Sequence, residues 1–294
     1  MALPAISTIL RCRETSLWSH DRVAGLFPVF FPDIHVYVGN RHPNGIGDSL
    51  LLMPDSFQSA FQGFLSRFTE IIGLPGECRR ILLTKVVRYR DERSRHHSMK
   101  FMELAAAVGC PGKASMPEPQ VEPKGESHLA IFPGARFGPA KKWPYFGRLA
   151  ESLSLETGLP VVMYGSRDER EELSSMFRGG FPMTIETGLD IPALASRLLA
   201  AVLTVGNDSG GVHLSAALGT PTMAIFGSTR PAWTAPIGTH TTVLASSLKC
   251  SPCFKRECPG NNTRCLREIT VETVLKRAME LMKKCERGSA NNGG

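Results

Sequence analysis

From His128 onward, strand-length apolar runs alternate with helix-length amphipathic segments, and this alternation leaves few folds open. The runs are His128–Phe132, Pro160–Tyr164, Ala201–Val205 and Thr222–Phe226. The helical segments are Tyr145–Glu156, Asp168–Phe177, Ile191–Ala200 and Val212–Leu218. Strands joined through helices need crossover connections, so they pair in parallel, in a doubly wound α/β sheet with helices on both faces. In such a sheet a ligand lies outside the carboxyl ends of the strands, at the point where the strand order reverses. The loops that follow strands therefore carry the chemistry.

Three such loops are polar: Pro133–Lys142, Gly165–Glu169 and Asn207–Gly211. The third opens the helix Val212–Leu218. A helix starting behind Asn207-Asp208-Ser209-Gly210-Gly211 presents free backbone N–H groups and the positive end of its dipole, a natural seat for phosphate. The first loop adds Lys141 and Lys142 as candidate neutralisers of phosphate charge. The second adds Ser166, Asp168 and Glu169, where a carboxylate is suited to a ribose diol. Each has a plainer reading: a solvated turn for the lysines, a helix cap for Asp168, a buried and satisfied side chain for His213. Three loops on one sheet edge favour a phosphate-bearing ligand over three coincidences. Neither G-x-G-x-x-G nor a Walker A sequence is present, so the pattern is not that of a dehydrogenase or a P-loop NTPase.

The first half is less regular. Met1–Leu10 reads as a helix, Ile34–Val38, Ser49–Met53 and Ile81–Val87 as strands, and Phe57–Phe68 and Met99–Val108 as helices. An α/β domain ordinarily begins with a strand, so a strand and its loop are expected in front of the first helix. Cys110–Glu126, with four prolines and two glycines, is the linker candidate. The expected division is residues 1–120, an incomplete N-terminal domain, then 121–285, with a helix over Ile269–Lys284 and a disordered tail over 286–294.

The net charge of +7 suits an anionic substrate or membrane surface. No aromatic-interleaved basic motif accompanies it, which argues against nucleic acid. No apolar run reaches the roughly 20 residues that span a bilayer, and no signal-peptide pattern opens the chain, so a cytoplasmic protein is expected. Eight cysteines in such a chain do not form a disulfide framework. Four of them, Cys250, Cys253, Cys258 and Cys265, stand as C-x2-C-x4-C-x6-C, a candidate tetrahedral zinc site set against free thiols on a loop.

The stretch NDSGGVHLSAALGTPTMAIFGSTRPAWTAPIG resembles the signature of the bacterial glycosyltransferases that add heptose to the lipopolysaccharide inner core. PGARFGPAKKWP, SFQSAF followed by ILLT, and CSPCFKRECPGNNTRC are similar to further segments of that family, and the resemblance runs from Met1 to about Lys284. It implies a GT-B fold, two Rossmann-like domains facing a cleft, the N-terminal one binding the acceptor and the C-terminal one the nucleotide sugar. It further implies inverting, metal-independent transfer from ADP-heptose to the lipid-A-bearing core, at the inner face of the inner membrane, with no cofactor required. On the matching positions, Lys141, Gly134 and Ala135 belong to the phosphate loop. Asp208, Ser209, Gly210 and His213 belong to the diphosphate element, and Asp168 or Glu169 to the adenosine-contacting region. Met1-Ala2-Leu3-Pro4-Ala5 matches the family's first helix, which leaves the strand and the acid-bearing loop that precede it without a counterpart. Gly45-Ile46-Gly47-Asp48 is the alternative source of that loop, with Asp48 as the base. Two rival readings remain at this point: an ADP-sugar-binding protein with little transfer activity, and a sugar-nucleotide epimerase of related fold.

Overall fold

The computed structural model describes residues 1–39, 47–89, 94–177 and 179–291. The chain divides into two compact units, Met1–Gln120 and Val121–Gly294. The proline-bearing stretch around the division forms no helix or strand, as residues that lock φ and lack an N–H would impose.

The first unit runs α1 (Leu3–Cys12), β1 (Leu17–Ser19), α2 (Asp21–Ala24), α3 (Leu26–Phe30), β2 (Val36–Val38), β3 (Ser49–Leu52), α4 (Phe57–Leu65), β4 (Glu70–Gly73), β5 (Lys85–Val86) and α5 (Ser98–Ala107). Among the described residues its strands pair in parallel and form two separate sheets, β1-β2 and β3-β4-β5. Among the described residues β1 and β3 each keep one edge without a strand partner. A cavity of about 1240 Å³ is lined by both strands, through Leu17 and Trp18 and through Leu50 and Leu51, and by Leu3 and Ile6 of α1. The apolar core is correspondingly divided. One cluster joins α1 to α5 through Ala5, Ile9, Met102 and Ala105. Another lies between α4 and its sheet, with Leu52, Ala60, Ile71 and Leu83.

The strand expected over Ile81–Val87 is mostly something else. Arg79–Leu82 is a 3-10 turn, and only Lys85–Val86 pairs with β4. The cause is Arg79, whose guanidinium is fully buried and donates to the carbonyls of Leu74 (2.8 Å), Pro54 (2.5 Å) and Ser56 (3.2 Å). Those bonds bend the backbone around a planar fork of donors, which a strand cannot supply locally.

The second unit runs β6 (His128–Phe132), α6 (Phe146–Thr157), β7 (Val161–Gly165), α7 (Arg170–Ser175), β8 (Met183–Thr187), α8 (Ile191–Leu199), β9 (Ala201–Asn207), α9 (Gly210–Ala217), β10 (Thr222–Phe226), α10 (Pro231–Thr234), β11 (Thr241–Ala245), α11 (Arg264–Arg267) and α12 (Val271–Asn291). Its six strands form one parallel sheet in the order β11-β10-β9-β6-β7-β8. The chain moves from β6 outward to β8, then returns to place β9 on the other side of β6. The strand order therefore reverses between β6 and β9. β6 and β10 are buried along their whole length, as central strands covered on both faces must be. Leu149, Leu153, Val161, Met163, Leu203, Val205, Val274 and Ala278 share the core between α6, α12 and the sheet.

Helix α12 passes Lys284, where the apolar spacing ends, and continues through 286–291, a stretch expected to be disordered. Val274, Ala278, Leu281 and Met282 anchor it in the core. Elongation from a formed helix adds one bond per residue without a new nucleus, and Lys283, Lys284, Glu286 and Arg287 are good helix formers.

Candidate functional site

The loops after β6 and β9 flank the reversal point, and one side chain ties them together. Asn207, fully buried at the end of β9, accepts a bond from the Trp143 N–H (3.0 Å) and donates to the Pro133 carbonyl (2.6 Å). Its single amide thus clips both ends of the Pro133–Trp143 loop to the sheet. Trp143 is held in turn, its indole N–H donating to the Ile269 carbonyl at 2.8 Å. Inside the loop, Gly138 adopts φ 142°, and a Cβ there would lie 2.5 Å from the Arg256 carbonyl oxygen. That oxygen accepts the Ala140 N–H at 3.0 Å. The result is a tight 3-10 turn, Pro139–Lys141, that fixes the direction of Lys141.

Lys141 Nζ donates to Asp208 Oδ2 at 2.5 Å, and the two side chains are only 12% and 6% exposed. Thr229 Oγ1 donates to the same oxygen at 2.8 Å, and His213 Nε2 reaches Oδ1 at 3.2 Å. Burial alone pushes the Asp208 carboxyl up. The hydrogen bond from His213, the charge of Lys141 and the bonds from Lys141 and Thr229 outweigh it, so the group is held below its ordinary value. Lys141 also lies over the Phe137 ring, 4.8 Å from its centroid, and Arg256 sits 5.6 Å from the same ring.

Helix α9 begins against this cluster. A Cβ on Gly211 would lie 2.1 Å from the Phe132 ring, so only glycine lets the helix start seat on the end of β6. At Gly210 a Cβ would meet nothing within 4 Å. Ser209, the residue before the helix, makes no capping bond, and its buried hydroxyl has no partner among the described groups. The buried Ser228 hydroxyl, in the loop after β10, is in the same state. Two unsatisfied hydroxyls, a helix start and a lysine around one strand reversal are donors suited to an anionic group with several acceptor oxygens.

The sequence-predicted residues separate accordingly. Lys141, Asp208, Ser209, Gly210 and His213 come together. Gly134 and Ala135 lie in the β6 loop, and a Cβ on Gly134 would be 2.2 Å from Glu169 Oε1. Glu169 is a capping residue, its carboxylate accepting from the Ser166 N–H (2.8 Å) and hydroxyl (2.9 Å). Asp168 is exposed on the same turn without a partner among the described residues. Lys142 turns to Glu172 of α7, at 2.6 Å, and serves packing. The sequence reading missed Asn207, Thr229, Ser228 and Arg256. Of these only Asn207 carried a signal, a polar side chain placed at the end of an apolar strand.

The zinc expectation at Cys250, Cys253, Cys258 and Cys265 is not met: among the described residues no group of three or more His, Cys, Asp or Glu is arranged to hold a metal. All four thiols are free. The backbone N–H groups of Asn262, Thr263 and Gly260 engage Cys258 and lower its pKa, while burial raises that of Cys265, on α11. The segment braces the site instead. The Phe254 N–H donates to the Ser228 carbonyl (2.7 Å) and the Ser251 hydroxyl to the Gly227 carbonyl (2.6 Å), next to the Arg256 contact with the β6 loop.

Gly45 and Ile46 lie outside the described residues. Asp48 directly precedes β3, where its carbonyl accepts from the Glu70 N–H (3.0 Å) and the Thr69 hydroxyl (2.7 Å). This is the amino end of a parallel strand, opposite to the end where sites in such sheets form.

Residues 46–264 match the family model Glycosyltransferase family 9 (heptosyltransferase). The chain belongs to that family. The family 9 chain is 26% identical to lipooligosaccharide heptosyltransferase 2 of Campylobacter jejuni, over 67% of this chain and 66% of that protein. To the protein of the same name from Haemophilus influenzae it is 28% identical, over 81% of this chain and 77% of the relative. It superposes on E. coli ADP-heptose lps heptosyltransferase II with a TM-score of 0.78 at 22% identity, covering 97% and 95% of the two chains. The superposition on E. coli heptosyltransferase WaaC with ADP has a TM-score of 0.74 at 16% identity, covering 95% of each. The fold is thus that of the GT-B heptosyltransferases, and the family match disfavours the epimerase reading.

Proposed function

We propose that the chain transfers heptose from ADP-heptose to a heptose of the lipid-A-bearing lipopolysaccharide inner core, with inversion at the anomeric carbon. The observation that carries this reading is the Lys141–Asp208–His213–Thr229 cluster at the start of α9, on the strand reversal, beside the unsatisfied hydroxyls of Ser209 and Ser228. Relatives named as heptosyltransferases, and a related structure described as holding ADP, agree with it.

In this reading the acceptor hydroxyl oxygen attacks the anomeric carbon, the bond to the β-phosphate oxygen breaks, and ADP leaves with the electron pair. The acceptor proton passes to a general base. Charge growing on ADP is stabilised by Lys141, by the free N–H groups of α9 and by the Ser209 and Ser228 hydroxyls. Such a donor set does the work without calling on a metal. Asp208 does not itself bind phosphate, because a carboxylate would repel it. It is a positioning residue that aims Lys141 and His213. Glu169 and Gly134 form the neighbouring wall, toward the nucleoside. The protein works in the cytoplasm at the inner face of the inner membrane, where its acceptor is displayed.

The test is calorimetry with ADP, together with heptose transfer from ADP-heptose to a lipopolysaccharide core that carries a single heptose and lacks the next one. Lys141→Ala removes a charge-assisted contact and should weaken ADP by about 10- to 100-fold. Asp208→Asn should weaken it less, by loosening the aim of Lys141. Unchanged ADP affinity in Lys141→Ala, or wild-type protein that binds no ADP, sinks the reading.

A further inference from the structure

Helix α4 is built inside out. Its large apolar residues, Phe57, Phe61, Phe64 and Leu65, recur at i, i+4, i+7 and i+8, the spacing of one helical face. That face would ordinarily be buried, yet these side chains are 40%, 43%, 56% and 60% exposed. The face toward the sheet holds the small residues Ser59, Ala60 and Gly63. A Cβ on Gly63 would come within 2.6 Å of Leu50, so the small face is as close to β3 as packing permits. No residue of α4 is charged. The Phe57 and Phe61 rings stack at 6.0 Å, giving a continuous aromatic surface.

The surroundings extend the stripe and give it a charge. The 3-10 turn Arg79–Leu82 is tied to the start of α4 by Glu77, whose carboxylate accepts the Phe57 N–H at 2.9 Å, and by the buried Arg79. That turn presents Ile81, which is 85% exposed, beside the exposed Arg80. Arg67 is exposed just past the end of α4, and Arg88 just past β5.

We infer that the α4 stripe with Ile81 is a membrane-docking surface, its phenyl rings entering the headgroup region of an anionic bilayer while Arg67, Arg80 and Arg88 meet lipid phosphates. The inference rests on the reading above that the acceptor is carried by a lipid. Charge decides the occupant. A stripe bordered by arginines complements an anionic lipid surface, whereas a two-fold contact between copies would bring like charges together. Apolar insertion and basic contacts are also the two signals that together give stable peripheral binding when neither suffices alone.

The experiment is co-sedimentation of the full chain with vesicles of phosphatidylethanolamine and phosphatidylglycerol, and with phosphatidylcholine vesicles as the neutral control. Wild type should pellet with the anionic vesicles, more weakly at high salt, and little with the neutral ones. The double variant Phe61→Ser/Phe64→Ser should bind at least about tenfold more weakly, and Arg80→Glu about fivefold or more. Thermal unfolding should show all three proteins equally folded, and transfer to detergent-dispersed acceptor should be unchanged. Equal vesicle binding by wild type and both variants overturns the proposal. So does a double variant that turns a dimer into a monomer in sedimentation velocity while vesicle binding persists. Turnover without vesicle binding removes the docking surface and leaves the proposed activity standing. Vesicle binding without turnover does the reverse.

Discussion

Helices α4 and α6 each follow a strand and pack on a parallel sheet, yet they distribute their side chains in opposite senses. Helix α6 buries Phe146, Leu149, Ala150 and Leu153 under the six-stranded sheet, and its outer face carries Glu151 and Glu156. Helix α4 buries serine, alanine and glycine, and turns its phenylalanines outward. The sheets differ in the same way. One is continuous over six strands, while among the described residues the strands of the smaller unit fall into sets of two and three. Large side chains placed inside build a packed platform, which in the second unit carries the proposed donor site. Large side chains placed outside add little to stability and remain available for an encounter with something else. Helical periodicity is common to both helices. Which face meets the sheet is what separates a core from a contact surface.

The sharpest way to break this comparison is to truncate the platform. Phe146→Ala should destabilise the second unit by about 3–5 kcal/mol, read from chemical denaturation, since it removes a buried ring from a dense cluster. A loss below roughly 1 kcal/mol would mean that the α6 core is loose. Next comes Asn207→Ala, which leaves the Trp143 N–H and the Pro133 carbonyl buried without their partner. The expected cost is about 2–4 kcal/mol, accompanied by weaker ADP binding as the β6 loop loosens. Stability lost with ADP affinity untouched would show that the clip does not shape the site.

A smaller effect is pH-dependent. The folded-state pKa of Asp208 lies below its ordinary value of 3.8, so its contribution to stability is present in full above about pH 4 and is lost as pH falls through the depressed value. Thermal unfolding of wild type and Asp208→Asn should therefore differ most near neutral pH and converge on acidification. A gap that widens toward acid would reverse the assigned sign. Smallest of all, Phe61→Ser on the outer face of α4 should change stability by no more than about 0.5 kcal/mol. A cost like that of Phe146→Ala would place the stripe in a core.

Much of the second unit was legible because its signals are local. His128–Phe132 and Thr222–Phe226 are apolar runs of strand length bounded by turn residues, and both form strands over those bounds. Lys141 and the Asp208–His213 element stood out as charged residues in loops that follow strands. Ser228 and Thr229 did not, because a hydroxyl in a Gly/Pro-punctuated loop has no pattern to mark it. Arg256 lay inside a cysteine run that invited a metal reading, and its contact with the β6 loop depends on a fold-back of more than a hundred residues. In the first unit Arg79 misled the strand assignment, because a buried guanidinium is invisible to periodicity.

The sequence by itself determined that this chain is a parallel α/β protein with phosphate-suited loops after its strands, since strand length, helix spacing and turn chemistry act over a few neighbouring residues. The tertiary structure decided which of those loops meet. The reversal of strand order between β6 and β9 brings Lys141 to Asp208 across 67 positions of chain and recruits Thr229 to the same carboxylate. It also decided that α4 shows its aromatic face to the outside, because Gly63 lies so close to Leu50 of β3 that a Cβ would already clash, and Ser59 and Ala60 are the other residues it buries. Such choices depend on the space left between packed elements, and no stretch of the sequence records that space on its own.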